Sequence, residues 1–130
     1  MSCENLNGTQ FENHVADILR NNHGVAKREK YIGIKDNGIR FRADIILSDK
    51  MIIVECKIKN KTGTIEEKVL DKAMHMQFMC ETTSHKRGVI VYGGIKWDLR
   101  QMRFLETKIP ELFPKVSMIR YEDDVEIKNV

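Results

Sequence analysis

Arg40-Phe41-Arg42-Ala43-Asp44 and Ile52-Ile53-Val54-Glu55-Cys56-Lys57 are two strand-like runs joined by the turn-like Ser48-Asp49-Lys50. Period-two alternation along the first, taken from Ile39 to Leu47, sends Ile39, Phe41, Ala43, Ile45 and Leu47 to one face and Arg40, Arg42, Asp44 and Ile46 to the other. Along the second, Ile52, Val54, Cys56 and Ile58 take one face, and Met51, Ile53, Glu55 and Lys57 the other, with Lys59 continuing the polar line. The short turn makes the pair antiparallel, so Asp44 and Glu55 meet near the open end of the hairpin. Ionised carboxylates on strands that otherwise read as buried sheet are costly unless something offsets them. Two of them side by side call for a cation, and Mg²⁺ is the first candidate.

The rest of the chain bounds this reading. With 130 residues, 42% of them apolar and 32% charged, residues 1–130 form one domain with room for a single core. No apolar run approaches the ~20 residues of a membrane span, and the polar start lacks a secretory pattern, so a soluble, non-secreted protein is expected. Cys3, Cys56 and Cys80 are odd in number and lack a CxxC spacing, which argues against a disulfide framework and a zinc knuckle. The net charge of +3 is unevenly spread: residues 20–68 hold 12 Lys/Arg against 7 Asp/Glu, while Glu122, Asp123, Asp124 and Glu126 make the C-terminus acidic. A basic surface of this kind suits a polyanion.

Taken in order, Thr9-Gln10-Phe11-Glu12 has a capping-box pattern, and Phe11, Val15, Ile18 and Leu19 give an amphipathic helix to about Asn22, stopped by Gly24. Glu12 lies beside the apolar stripe, where it either caps the helix or is carried to the sheet edge. Residues 25–34 read as a strand, and Asn37-Gly38 as a tight hairpin turn into the two central runs. After the polar loop 59–63, Thr64-Ile65-Glu66-Glu67 starts a second helix with apolar residues on more than one stripe, its methionines core filler. Gly88-Val89-Ile90-Val91-Tyr92 is a strand covered on both faces. Asp98 caps a third helix through about Glu106, with Leu99, Met102 and Leu105 inward and the 110–114 segment breaking it. Residues 116–121 form a last strand. The four histidines show no metal-ligand spacing. The order α-β-β-β-α-β-α-β is that of an α/β domain around a mixed sheet.

Asp44 and Glu55-Cys56-Lys57, behind a helix carrying Glu12 and ahead of a helix and a buried strand, resemble the PD-(D/E)XK nuclease superfamily over roughly residues 8–94. The residue before Asp44 is Ala43, where the pattern's name has proline. The resemblance implies a restriction-endonuclease-like αβββαβ core and a divalent-metal-dependent DNA endonuclease with restriction-like double-strand cleavage. Alternatives are a structure-specific nuclease such as a Holliday-junction resolvase, or an inactive nucleic-acid-binding module on the same fold. It further implies Asp44 and Glu55 as metal ligands, Lys57 as catalytic lysine, Glu12 as an outer ligand, and Mg²⁺ as cofactor with Mn²⁺ able to substitute. A homodimer is expected because one domain offers one site and a duplex needs two cuts, as is a cytoplasmic or other DNA-containing compartment. Thr62-Gly63-Thr64-Ile65-Glu66-Glu67-Lys68 resembles a Gly-Thr…Glu-Lys segment of restriction-type and phage-type members, which places Thr62, Thr64 and Lys68 near a phosphate. Lys59, Lys61, Arg40 and Arg42 extend that basic track toward DNA.

Overall fold

Asn7 starts the first helix two residues ahead of the expected cap. Its side-chain oxygen accepts the Gln10 N–H at 2.8 Å, and the Gln10 side chain accepts the Asn7 N–H at 2.9 Å. This reciprocal box opens α1 (Gly8–His23) and replaces the Thr9–Glu12 box read from the sequence, leaving Glu12 free for another role. Gly24 ends α1 at φ 82°. The structure, a computed structural model, describes residues 6–63, 66–121, 127 and 130. Cys3, Thr64, Ile65 and the acidic run 122–126 lie outside the described residues, and with them the expected cap of the second helix.

The remaining elements are β1 (Ala26–Ile34), β2 (Arg40–Leu47), β3 (Ile52–Ile58), α2 (Glu66–Thr82), β4 (Arg87–Gly93), α3 (Leu99–Leu112) and β5 (Val116–Arg120). They give an α/β architecture in which one five-stranded mixed sheet, ordered β1-β2-β3-β4-β5, is flanked by three helices. β1, β2 and β3 run antiparallel, whereas β4 and β5 add in parallel through the α2 and α3 crossovers. Between β1 and β2, the Gly38 N–H bonds to the Lys35 carbonyl at 2.9 Å and Gly38 takes φ 82°, which makes the turn a tight one carried by glycine. Among the described residues no helix is long and apolar enough to cross a membrane.

Two cores sandwich the sheet. Phe11, Val15 and Leu19 of α1 pack on Ile45, Leu47, Ile52, Val54, Val89 and Val91. On the opposite face Val69, Ala73 and Met76 of α2 and Met102, Leu105 and Ile109 of α3 pack on Phe41, Ala43, Ile46, Ile53 and Ile90. β4 is thus covered on both sides, as its unbroken apolar run requires. α3 runs six residues past the expected end, through Pro110, because the buried Ile109 anchors the last turn and Phe113 closes it with an N–H to the Ile109 carbonyl at 2.7 Å. Leu99, expected inward, is exposed, as are Leu70 and Met74 of α2.

Strict alternation in β2 fails in the middle. Phe41 and Ala43 pack beneath α2 and α3, but Ile45 and Leu47 pack beneath α1, and Ile46 joins Phe41. The face changes at Asp44. There the β2–β3 ladder begins only at Ile45↔Val54, and opposite Asp44 on β1 the pairing skips Glu29, whose φ is 49°. A strand that loses its regular neighbours on both sides can twist, and this one does so at the residue that carries the charge.

Candidate metal and nucleic-acid site

Asp44 and Glu55 stand opposite one another in the register that pairs Ile45 with Val54, and their carboxylates take over the ladder where it opens. The Asp44 N–H donates to Glu55 Oε1 at 3.3 Å, and the Cys56 N–H donates to Asp44 Oδ2 at 2.9 Å. Glu55 is 1% exposed. Burial first, and then the Asp44 charge, push its pKa from 4.5 up to about 8, with Lys72 pulling the other way. Lys72 of α2 places Nζ 3.6 Å from Glu55 Oε2 and 5.1 Å from the centre of the Phe41 ring. The sequence pattern did not single out this lysine. Its signal was a position three residues after Val69 and four before Met76, on the flank of the inward stripe.

Glu12 sits at the margin of this pair. Its carboxylate accepts from Arg28 at 2.8 Å, and Arg28 also bonds to Asn13. Burial raises the Glu12 pKa and Arg28 opposes it, while the neighbouring charges of Asp44 and Glu29 add to the rise. Glu12 therefore feels Asp44 yet is turned to Arg28. Among the described residues no group of three or more His, Cys, Asp and Glu side chains is drawn together for a metal ion. Two carboxylates are. Hard oxygen donors in that number fit Mg²⁺, which commonly takes one or two protein carboxylates and keeps waters and substrate phosphates for the rest. Burial, then Asp44 and Glu55, hold the Cys56 thiol far above its ordinary range.

Lys57 lies on the α2 face of β3, partly buried and level with Tyr92 of β4. Among the described residues it forms no ion pair; Lys72 is the lysine that reaches Glu55. Arg40 and Arg42 are exposed on β2, with the Arg40 guanidinium 3.8 Å from the centre of the exposed Tyr31 ring and Arg42 3.8 Å from Glu29. Lys61, Thr62 and Lys68 are exposed, and Thr64 lies outside the described residues.

Lys59 does not belong to that surface, which corrects its place on the basic track. It is 7% exposed, with Nζ 2.8 and 2.5 Å from the two carboxylate oxygens of Glu66. The reason lies in its backbone: the Lys59 N–H bonds to the Gly93 carbonyl, and its own carbonyl accepts from Lys96, so the side chain is led inward under Trp97. Glu66 Oε2 also accepts the Asp98 N–H at 2.9 Å. Burial raises the Glu66 pKa, but the hydrogen bonds from Lys59 and Asp98 outweigh it and hold the carboxyl below its ordinary value. Gly94 closes this corner at φ 103°, and a Cβ there would overlap the Lys59 carbonyl. Gly94→Ala is expected to destabilise the fold by about 2 kcal/mol or more, read from urea unfolding, and a loss under ~0.5 kcal/mol would show that the corner yields.

His75 is held between Asp36 of the hairpin turn, 2.8 Å from Nδ1, and Asp71 one helical turn back, 3.3 Å from Nε2. It fastens the β1–β2 hairpin to α2, a role its sequence spacing did not announce. No family model matches the chain, and comparison with curated proteins and with solved structures finds no match.

Proposed function

We propose that this chain is a divalent-metal-dependent DNA endonuclease on a restriction-endonuclease-like core. The observation that carries the reading is the convergence of Asp44 with the buried Glu55 at a break in the β2–β3 ladder, where each carboxylate replaces a backbone partner. A purely structural role leaves such a pair offset only by Lys72 and two backbone N–H groups, whereas a divalent cation between or beside the two carboxylates offsets it more fully. Asp44 and Glu55 would hold Mg²⁺ or Mn²⁺, which supplies charge neutralisation at a phosphodiester and a more acidic water. Glu12, bound to Arg28, would stand beside them as a neighbouring charge.

The chain's own cations supply the rest. Lys57, on the same strand face as Glu55, would donate to a phosphate oxygen or to the attacking water. Arg40, Arg42, Lys61 and Lys68, with Thr62, give the surface on which the DNA backbone rests, and the exposed Tyr31 beneath Arg40 offers a ring face to a base or sugar. One such domain carries one centre, so double-strand cleavage calls for two copies, one for each strand.

The test is incubation with plasmid, linear duplex, single strand and four-way junction, with and without Mg²⁺. Cleavage that needs Mg²⁺ is expected, along with binding that weakens steeply as salt rises. Mg²⁺ should also raise stability by about 2.7 kcal/mol at 100 times its Kd. A protein that neither cleaves any of the four nor gains stability from Mg²⁺ or Mn²⁺ is not a metal-dependent nuclease, while preference for the junction would turn the reading to a resolvase.

A further inference from the structure

Lys72 is the one side chain that brings positive charge from the helical layer to the carboxylate pair among the described residues. Its Nζ stands 3.6 Å from Glu55 Oε2 and 5.1 Å from the centre of the Phe41 ring. Both ends of this contact are fixed. Glu55 is buried on β3, and α2 is tied at its first residue by the Lys59–Glu66 pair and further along by His75 to Asp36. Lys72 itself keeps a 26% exposed side chain, so its ammonium can leave Glu55 for solvent or for a phosphate without unpacking the helix.

We propose that Lys72 is the tethered counter-ion of the cation-free centre: it holds Glu55 by occupying the place next to Oε2, and a divalent cation must displace it to bind. The inference rests on the nuclease reading and adds a regulatory element to it, because the affinity for the metal is then set by a competitor built into α2. Displacement also frees the ammonium to meet a phosphodiester brought to the same centre. Lys72 acts on the metal through Glu55 and is thus a positioning residue. Monovalent charge gives way to divalent charge here because Coulomb attraction scales with the charge, whereas the ammonium gains only a modest amount from a partner at 3.6 Å on a solvent-reached edge.

The deciding measurement is calorimetric Mg²⁺ and Mn²⁺ titration of the wild type, Lys72→Met and Lys72→Arg, with thermal unfolding as a parallel readout. Affinities are compared at their alkaline limit, where protons no longer compete for Glu55. Lys72→Met keeps a long unbranched side chain and removes the charge. At that alkaline limit it is expected to bind the metal at least about fivefold more tightly than wild type, while its metal-free form melts lower, and Lys72→Arg is expected to restore wild-type behaviour in both. Equal or weaker metal binding by Lys72→Met overturns the proposal even when the wild type binds metal and cleaves DNA. Absence of metal binding in all three proteins overturns the nuclease reading and this inference together.

Discussion

Asp44→Asn and Glu55→Gln each lower Mg²⁺-dependent cleavage of supercoiled DNA by about 10²–10³-fold or more, while the metal-free protein stays folded. For Glu55→Gln the second half of this result has a definite pH signature. The folded carboxyl has a pKa of about 8 against an ordinary 4.5, so between those values the folded state holds a proton that the unfolded chain has released. The stability that Glu55 contributes is therefore complete below pH 4.5, falls as pH rises toward 8, and is gone above it. At about 1.4 kcal/mol for each tenfold difference in acidity between the two states, the loss amounts to a few kcal/mol. The substituted glutamine cannot ionise, yet its oxygen can still accept the Asp44 N–H and its amide can donate to Asp44. Urea unfolding across the range from weakly acidic to alkaline pH should thus show wild type and Glu55→Gln converging at the acid end, with the variant more stable at the alkaline end. Added Mg²⁺ should close that alkaline gap in wild type alone. Parallel stability curves for the two proteins would show that Glu55 stays ionised at no cost, and the case for a cation at this place would lose its main support.

Glu66→Gln and Lys59→Met are each expected to cost about 3–5 kcal/mol, the penalty for leaving one member of a buried ion pair without its partner. The pair is almost wholly removed from solvent, with 7% and 5% of the two side chains exposed, and Glu66 additionally holds the Asp98 N–H at the cap of α3. A double variant, Lys59→Met with Glu66→Leu, should recover part of the loss, because apolar side chains of similar volume suit the ground beneath Trp97 while the Asp98 N–H loses its acceptor. The acid dependence runs opposite to that of Glu55. The Glu66 pKa is lowered in the folded state, so its contribution is present above the ordinary carboxylate range and disappears as pH falls through the folded value. Urea unfolding free energies of the single variants within about 1 kcal/mol of wild type would mean that the pair is solvated and the corner does not hold α2 to the sheet.

These outcomes bear on what could be read from the residues alone. The meeting of Asp44 and Glu55 was legible because a short turn and a period of two leave one register, and that register stands. Which core each half of β2 enters was not legible, since the face changes at Asp44 itself, where two side chains stand in for ladder partners and Glu29 leaves the regular β region. Alternation put Lys59 on the face of Glu55 and Lys57, toward α2, but a count of two says nothing of depth. Its burial depends on Glu66 at the start of α2 and on Gly93 and Trp97 in the stretch that follows β4, far along the chain from Lys59. Lys72 was missed for the complementary reason: a lysine on the flank of an apolar stripe reads as solvent-facing until the strand behind it is known to carry a buried acid. The Thr9–Glu12 box gave way to Asn7–Gln10, which satisfies the same pattern of oxygen acceptor and three-residue return two residues earlier.

The irregularities of β1 have a consequence for self-association. β1 is an edge strand of nine residues, about 30 Å of exposed backbone and long enough to recruit a strand from another molecule. The left-handed turn of Glu29 and the slip between Tyr31 and Gly33 cut it into runs of only a few regular residues, flanked by Lys27, Arg28, Glu29 and Lys30. The opposite edge, β5, spans just five residues. Neither border offers the straight, uncharged template that sheet-to-sheet growth requires, so the same distortion that frees Asp44 from its ladder also keeps the sheet from extending into a neighbouring molecule.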